Sequence, residues 1–330
     1  MEPYLPHIFC RLSQVQQITI SCFPVEQTSW HVAYPAVATA LSKMLSVQSV
    51  SKVEMDPLQY LDAAELVSLL RRENLHIRRL TLDFPIYLDE PPTYAVNSHV
   101  GELSGLPLIE LESLRLTSWV GDMSPYLIRP FLGKYSPFDL STIRHLSLQF
   151  HWIESDDILQ IQKTVNQIGE SLEHFTIYVD TWNRRYDAPL DVSRNSRLSC
   201  VDIVAYVFPL EGWYKKFPFK STVEHMRFDI QYRERDEEEL DWAKLYEYLS
   251  DAKTSQSLQS LEISVHPRQD WQCSWPSHCR SCSPGHLNQA ERIRTQMSRL
   301  WQRGILQVKE QHSREIRGGF YEPNPYLARE

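Results

Sequence analysis

The chain of 330 residues is long enough for one large domain or two ordinary ones, and its 42% apolar residues suffice for an extensive core. With 34 Lys and Arg against 42 Asp and Glu it carries a net charge of −8, which disfavours a dedicated nucleic-acid binder, because that function needs a basic stripe to neutralise phosphates. Glycine is scarce (10) and proline plentiful (20), so Gly-rich phosphate cradles are not expected.

At the start, Met1 to Gln17 shows no basic stretch followed by an apolar run, so no signal peptide is read, and residues 1–14 form a lead-in. The longest nearly apolar stretch, Val32 to Leu41, is about ten residues, well below the roughly 18 of a membrane span. Without a secretory signal the cysteines are expected to be reduced and the chain to reside in the cytoplasm or nucleus, away from membranes.

From Val15 onward one pattern returns: apolar-x-x-apolar-x-apolar with polar residues between. It opens at Val15, Val50, Ile77, Leu111, Ile143, Leu172, Leu198, Val223 and Leu258, at intervals of 25 to 35 residues. Composition alone would give about five such matches, so the weight rests on the spacing and on what lies between. Pro35 opens a helical stripe of Val37, Ala40, Leu41, Met44 and Leu45. Asp62 reads as an N-cap with Glu65 as its reciprocal partner, followed by Ala63, Leu66, Val67 and Leu70 on one face. Ser155 caps a helix with Ile158, Ile161, Val165, Ile168 and Leu172 in period, and Trp242, Leu245, Tyr246 and Leu249 form another stripe.

Strand, loop, helix and loop at about 30 residues predict an α/β solenoid, with parallel strands on its concave face and helices or loops on its convex face. Residues 15–308 form this single irregular repeat domain, closed by a final helix and the segment Leu300 to Val308; residues 309–330 are a tail. In each strand the second and third apolar residues, such as Leu114 and Leu116, point into the core, and those alternating with them face outward. The outward positions are nearly all polar.

These residues resemble the irregular leucine-rich-repeat proteins of fungi, many of them F-box proteins, and the likeness covers Val15 to about Val308. It implies repeats that hold a target protein while an N-terminal F-box docks on the Skp adaptor of a cullin-based ubiquitin ligase. Two departures stand out. The Asn or Cys that follows the strand in regular leucine-rich repeats is replaced, for example by His151, Asp180, Tyr206, Gln231 and His266, which implies uneven loops. An F-box of three helices takes roughly 40 residues, whereas 14 precede the first repeat, so a Skp-type adaptor is expected only with an F-box upstream.

The expected partner-binding residues are Arg115, His145, His174, Tyr178, His225 and Arg227 on the outward face, with Trp182 and Trp213 as aromatic anchors in loops. Other loop aromatics, such as Trp271 and Trp275, read equally as small cores of their own loops. His145, His174, Cys200 and His225 share one outward position in four consecutive repeats, which reads either as a histidine-lined protein contact or as a metal site. Cys273, Cys279 and Cys282, with His278 and His286, read either as a zinc site or as a plain Pro-containing loop.

No hydrolase, P-loop, zincin or dinucleotide-binding motif occurs; Gly101-Glu-Leu-Ser-Gly105 misses the nucleophile elbow by one position. The expectation is a non-catalytic protein-binding chain without a cofactor. The alternatives are a scaffold unconnected with ubiquitin and a metal-dependent or cysteine-based enzyme.

Overall fold

A computed structural model describes residues 14–21, 39, 43–45, 49–56, 70, 76–84, 108–118, 128, 131–133, 136–153, 155–182, 190–206, 222–232, 242–250, 257–267 and 289–310. The chain is α/β. Its strands are β1 (Gln17–Ser21), β2 (Lys52–Asp56), β3 (Arg79–Phe84), β4 (Ile109–Glu110), β5 (Ser113–Ser118), β6 (Phe138–Asp139), β7 (His145–Ile153), β8 (His174–Trp182), β9 (Cys200–Tyr206), β10 (His225–Tyr232), β11 (Ser260–Pro267) and β12 (Leu306–Glu310). Ten of them form one sheet in the order β1-β2-β3-β5-β7-β8-β9-β10-β11-β12, and β4 pairs with β6 beside it. Every pairing is parallel.

The register follows the apolar pattern without a slip. Ile18, Val53, Leu80, Leu114, Leu146, Phe175, Val201, Met226, Leu261 and Leu306 stand side by side across the ten strands. All ten are buried, as a two-residue alternation demands when one sheet face is apolar.

Parallel neighbours require the chain to cross over between strands, and helices make several of the crossings. Described helices are α1 (Ser155–Ile168), α2 (Trp242–Ser250), α3 (Gln289–Gln296) and α4 (Ser298–Gln302). Ile158, Ile161, Val165 and Ile168 of α1 form the buried stripe, and Trp242, Leu245 and Leu249 do so in α2. These side chains, with Met44, Leu45 and Leu70 from earlier helical residues, belong to the same core as the strand residues, which runs from Ile18 to Val308. The helices therefore cover that face of the sheet.

Helix α1 stops short of Leu172, which the helical stripe had included. Gly169 takes φ +60°, a left-handed conformation that ends an α-helix cheaply only without a Cβ, and residues 169–171 tighten into a 3-10 turn. Leu172 is then extended (φ −68°, ψ 116°) and buried, so it belongs to the approach to β8.

From β1 to β11, neighbouring strands of the sheet are joined in one way. At eight successive joints two consecutive amides donate to a single carbonyl of the preceding strand's entry. Ser51 and Lys52 donate to Gln16, Arg78 and Arg79 to Ser51, and so on to Gln259 and Ser260 on Glu224, at 2.8 to 3.1 Å. A hydroxyl ladder runs beside these joints. The Ser or Thr just before an apolar opening residue donates to the previous opening residue's carbonyl: Ser49 to Val15, Thr142 to Leu111, Ser171 to Ile143 and Ser257 to Val223, at 2.9 to 3.0 Å.

Several polar groups on the helical side are hydrogen-bonded between units as well. Gln160 Nε2 and Thr164 Oγ1 donate to the Leu132 carbonyl, and Gln162 exchanges two hydrogen bonds with the backbone of Asp191. Asn195 Nδ2 donates to the carbonyls of Val165 and Gly169, capping the end of α1.

Candidate functional site

The sheet face turned away from the core is the chemically varied surface. Alternation and register arrange its side chains in three rows across the strands. The first reads Gln17, Lys52, Arg79, Ser113, His145, His174, Cys200, His225 and Ser260. The second reads Thr19, Glu54, Thr81, Arg115, Ser147, Thr176, Asp202, Arg227, Glu262 and Gln307. The third, from β3 onward, reads Asp83, Thr117, Gln149, Tyr178, Val204, Asp229, Ser264 and Lys309.

The third row, which includes the expected partner-binding residue Tyr178, is the least accessible. Thr117, Gln149, Tyr178, Val204, Asp229 and Ser264 are all buried, and Tyr178 is only 9% exposed. Strands packed about 4.8 Å apart leave a side chain in the middle of a row little open perimeter. Of the expected partner-binding residues, Arg115, His145, His174, His225 and Arg227 remain half-buried on this face. Trp182 is the last residue of β8, in register with Ile153, so it lies in a strand where a loop was expected. Trp213 lies outside the described residues, as do Cys273, Cys279, Cys282, His278, His286, Trp271 and Trp275.

Charge on the face is paired within it at both ends. Near β1, Lys52 Nζ sits 2.8 Å from Glu54 Oε1, while Thr19 and Gln17 each donate to Glu54 Oε2 at 3.1 Å. Burial alone would raise the Glu54 carboxyl, but the hydrogen bond and charge of Lys52, with the Thr19 and Gln17 donors, hold it below the ordinary glutamate value. Towards β12, Arg227 lies between Asp229 (3.7 Å) and Glu262 (3.5 Å), and Glu262 also meets Lys309 Nζ at 2.9 Å.

The middle of the face differs. Arg115 Nη2 donates to Gln149 Oε1 at 3.2 Å, a neutral acceptor, and its Nε is buried without a hydrogen-bond partner. Burial pushes this guanidinium below the ordinary arginine value, and the charges of Asp83 and Glu54 act in the opposite sense. Beside it the rings of His145 and His174 meet edge to face, with centroids 4.4 Å apart. His225 Nδ1 is 3.1 Å from Ser260 Oγ, and its Nε2 is 3.9 Å from the Glu224 carboxylate, an ion pair only when the ring is protonated.

Among the described residues no three His, Cys, Asp or Glu side chains are placed to hold a metal ion, which includes the row of His145, His174, Cys200 and His225. Among them too, no helix is long and apolar enough to cross a membrane.

Sequence reasoning selected Arg115 and Arg227 alike, although their surroundings differ. The signal that separates them is local: Asp229 stands two residues after Arg227, on the same face of its strand, as Glu54 does after Lys52. Arg115 has Thr117 at that position. No protein-family model matches the chain, and no curated protein matches it at a significant level.

Proposed function

We propose that this chain is a solenoid of leucine-rich-like repeats whose polar sheet face holds another protein, as the substrate receptors of cullin-based ubiquitin ligases do. The observation that carries this reading is the unbroken register of ten parallel strands, apolar on one face and ordered in polar rows on the other. Helices are about 10–12 Å wide whereas strands sit about 4.8 Å apart, so a sheet with helices on one side bends with its strands inside. A concave wall results, and its side chains are largely dispensable to the fold, which leaves them available for recognition. The proposed binding region comprises Arg115, His145, His174, Tyr178, His225 and Arg227, with Trp182 and Trp213 as aromatic anchors. An adaptor contact requires an F-box segment; the repeats supply the hold on the target and no catalytic group.

The test uses the full chain as bait in a cell lysate beside a variant with Arg115, His174 and Arg227 all replaced by Ala. Loss of the same captured proteins by the folded variant supports the wall as the site. Equal capture moves the site elsewhere, first to the Cys273 to Cys282 loop.

A further inference from the structure

We propose that Arg79 and Arg115, one strand apart on the polar face, form a carboxylate-binding position that receives an isolated Asp or Glu side chain of the partner protein. The inference rests on the protein-binding reading above and adds the chemistry of the contact. Arg79 opens β3 in register with Ser113, and Arg115 follows Ser113 by two residues on the same face. Strand spacing and rise put their Cα atoms about 8 Å apart, within joint reach of one carboxylate for two arginine side chains.

Neither arginine has a carboxylate in ion-pair contact among the described residues, whereas Arg227 has two, and Arg78, Arg144 and Arg197 pair with Glu112 or Glu173. Among the described residues the Arg115 guanidinium donates to one acceptor, neutral Gln149. The nearest acid on the β1 side, Glu54, has both oxygens engaged by Lys52, Thr19 and Gln17. A half-buried guanidinium without a contacting anion is costly, and a carboxylate from outside relieves that cost with paired N–H donors. The Ser113 hydroxyl, between Arg79 and His145 in register, offers a further donor.

The surroundings also set what is excluded. Glu54 and Asp83 flank the position and offset part of the Arg115 charge, so repulsion grows with each acid added and favours a single carboxylate over a run of acids or a polyanion such as nucleic acid. The net charge of −8 works in the same direction.

The test pans a phage-displayed random dodecapeptide library on the full chain and on Arg79→Gln/Arg115→Gln, with circular dichroism and melting showing that the variant folds. Peptides carrying one Asp or Glu are expected to be enriched by the parent chain and not by the variant. For the best peptide, fluorescence anisotropy should show about tenfold weaker binding on changing its acid to the amide, about tenfold for Arg115→Gln, and little more for both together, as coupled groups behave. The single variant Arg79→Gln provides the same comparison if the double variant is unstable. Enrichment of peptides without an acid, equally on both proteins, overturns the carboxylate position and leaves the protein-binding reading standing. No enrichment on either overturns both. Tighter binding of a fluorescein-labelled single-stranded oligonucleotide, lost in the variant, overturns the proposal in favour of phosphate.

Discussion

Asn195 Nδ2 donates to the Gly169 carbonyl at 2.7 Å, so a side chain in one unit closes the helix of the unit before it. The same nitrogen reaches the Val165 carbonyl at 3.1 Å, and Asn195 is only 1% exposed. Removing the amide takes a donor from each of two helix-end carbonyls. Asn195→Ala is expected to cost about 1–3 kcal/mol, the range for a buried group left unsatisfied. Urea denaturation followed by circular dichroism measures it; a cost near zero would show that water replaces the amide.

The two faces of the sheet should respond differently to truncation. Leu114 and Leu146 are fully enclosed, and Leu114→Ala and Leu146→Ala should each destabilise by about 2–5 kcal/mol. Arg115→Ala, on the opposite face, should change stability by under about 1 kcal/mol. Equal costs for Leu114→Ala and Arg115→Ala in denaturant melts would mean that both faces are structural.

Glu54 ties β1 to β2 through Thr19 and Gln17, with its carboxyl held below the ordinary glutamate value. A native pKa below the unfolded one stabilises the fold above the unfolded value, and that contribution is lost as pH falls through the native value. Acidification should therefore loosen the β1–β2 contact in parent protein. In Glu54→Gln this share of the pH dependence should vanish. Hydrogen exchange of the β2 amides, compared at neutral pH and at a pH below the ordinary glutamate value, provides the check.

The hydroxyl ladder predicts small, additive costs. Ser49→Ala and Ser257→Ala each remove one bond to the preceding unit, of 2.9 and 3.0 Å, and each should cost about 0.5–1.5 kcal/mol. The two sites lie in units at opposite ends of the sheet, so the double variant should lose the sum of the single costs. A double variant no worse than either single one would contradict independent joints.

The strands were legible in the sequence because their signal is local. Apolar residues two apart, with a third before them, fix both the inward face and the phase, and Ile18 to Leu261 accordingly line up across the sheet. What escaped reading depends on neighbours about 30 residues away. The cap that Asn195 gives α1, the Leu132 carbonyl shared by Gln160 and Thr164, and the small β4–β6 pair have no local periodicity to announce them. Burial of Tyr178 and Gln149 likewise arises from what stands on either side of them, not from their own residue type. The Ser and Thr residues of the ladder were visible in the text, before Val50, Ile143, Leu172 and Leu258, but only as common polar residues until the carbonyls beside them were in place.

The joint of two amides on one carbonyl involves main-chain atoms alone, and it recurs while the interval from one repeat opening to the next varies from 25 to 35 residues. Pitch is thereby uncoupled from both side-chain identity and crossover length. Residues can be inserted or lost on the helical side without moving any strand relative to its neighbours. Changes in sequence or in repeat length on that side are therefore compatible with an unchanged geometry of the polar wall.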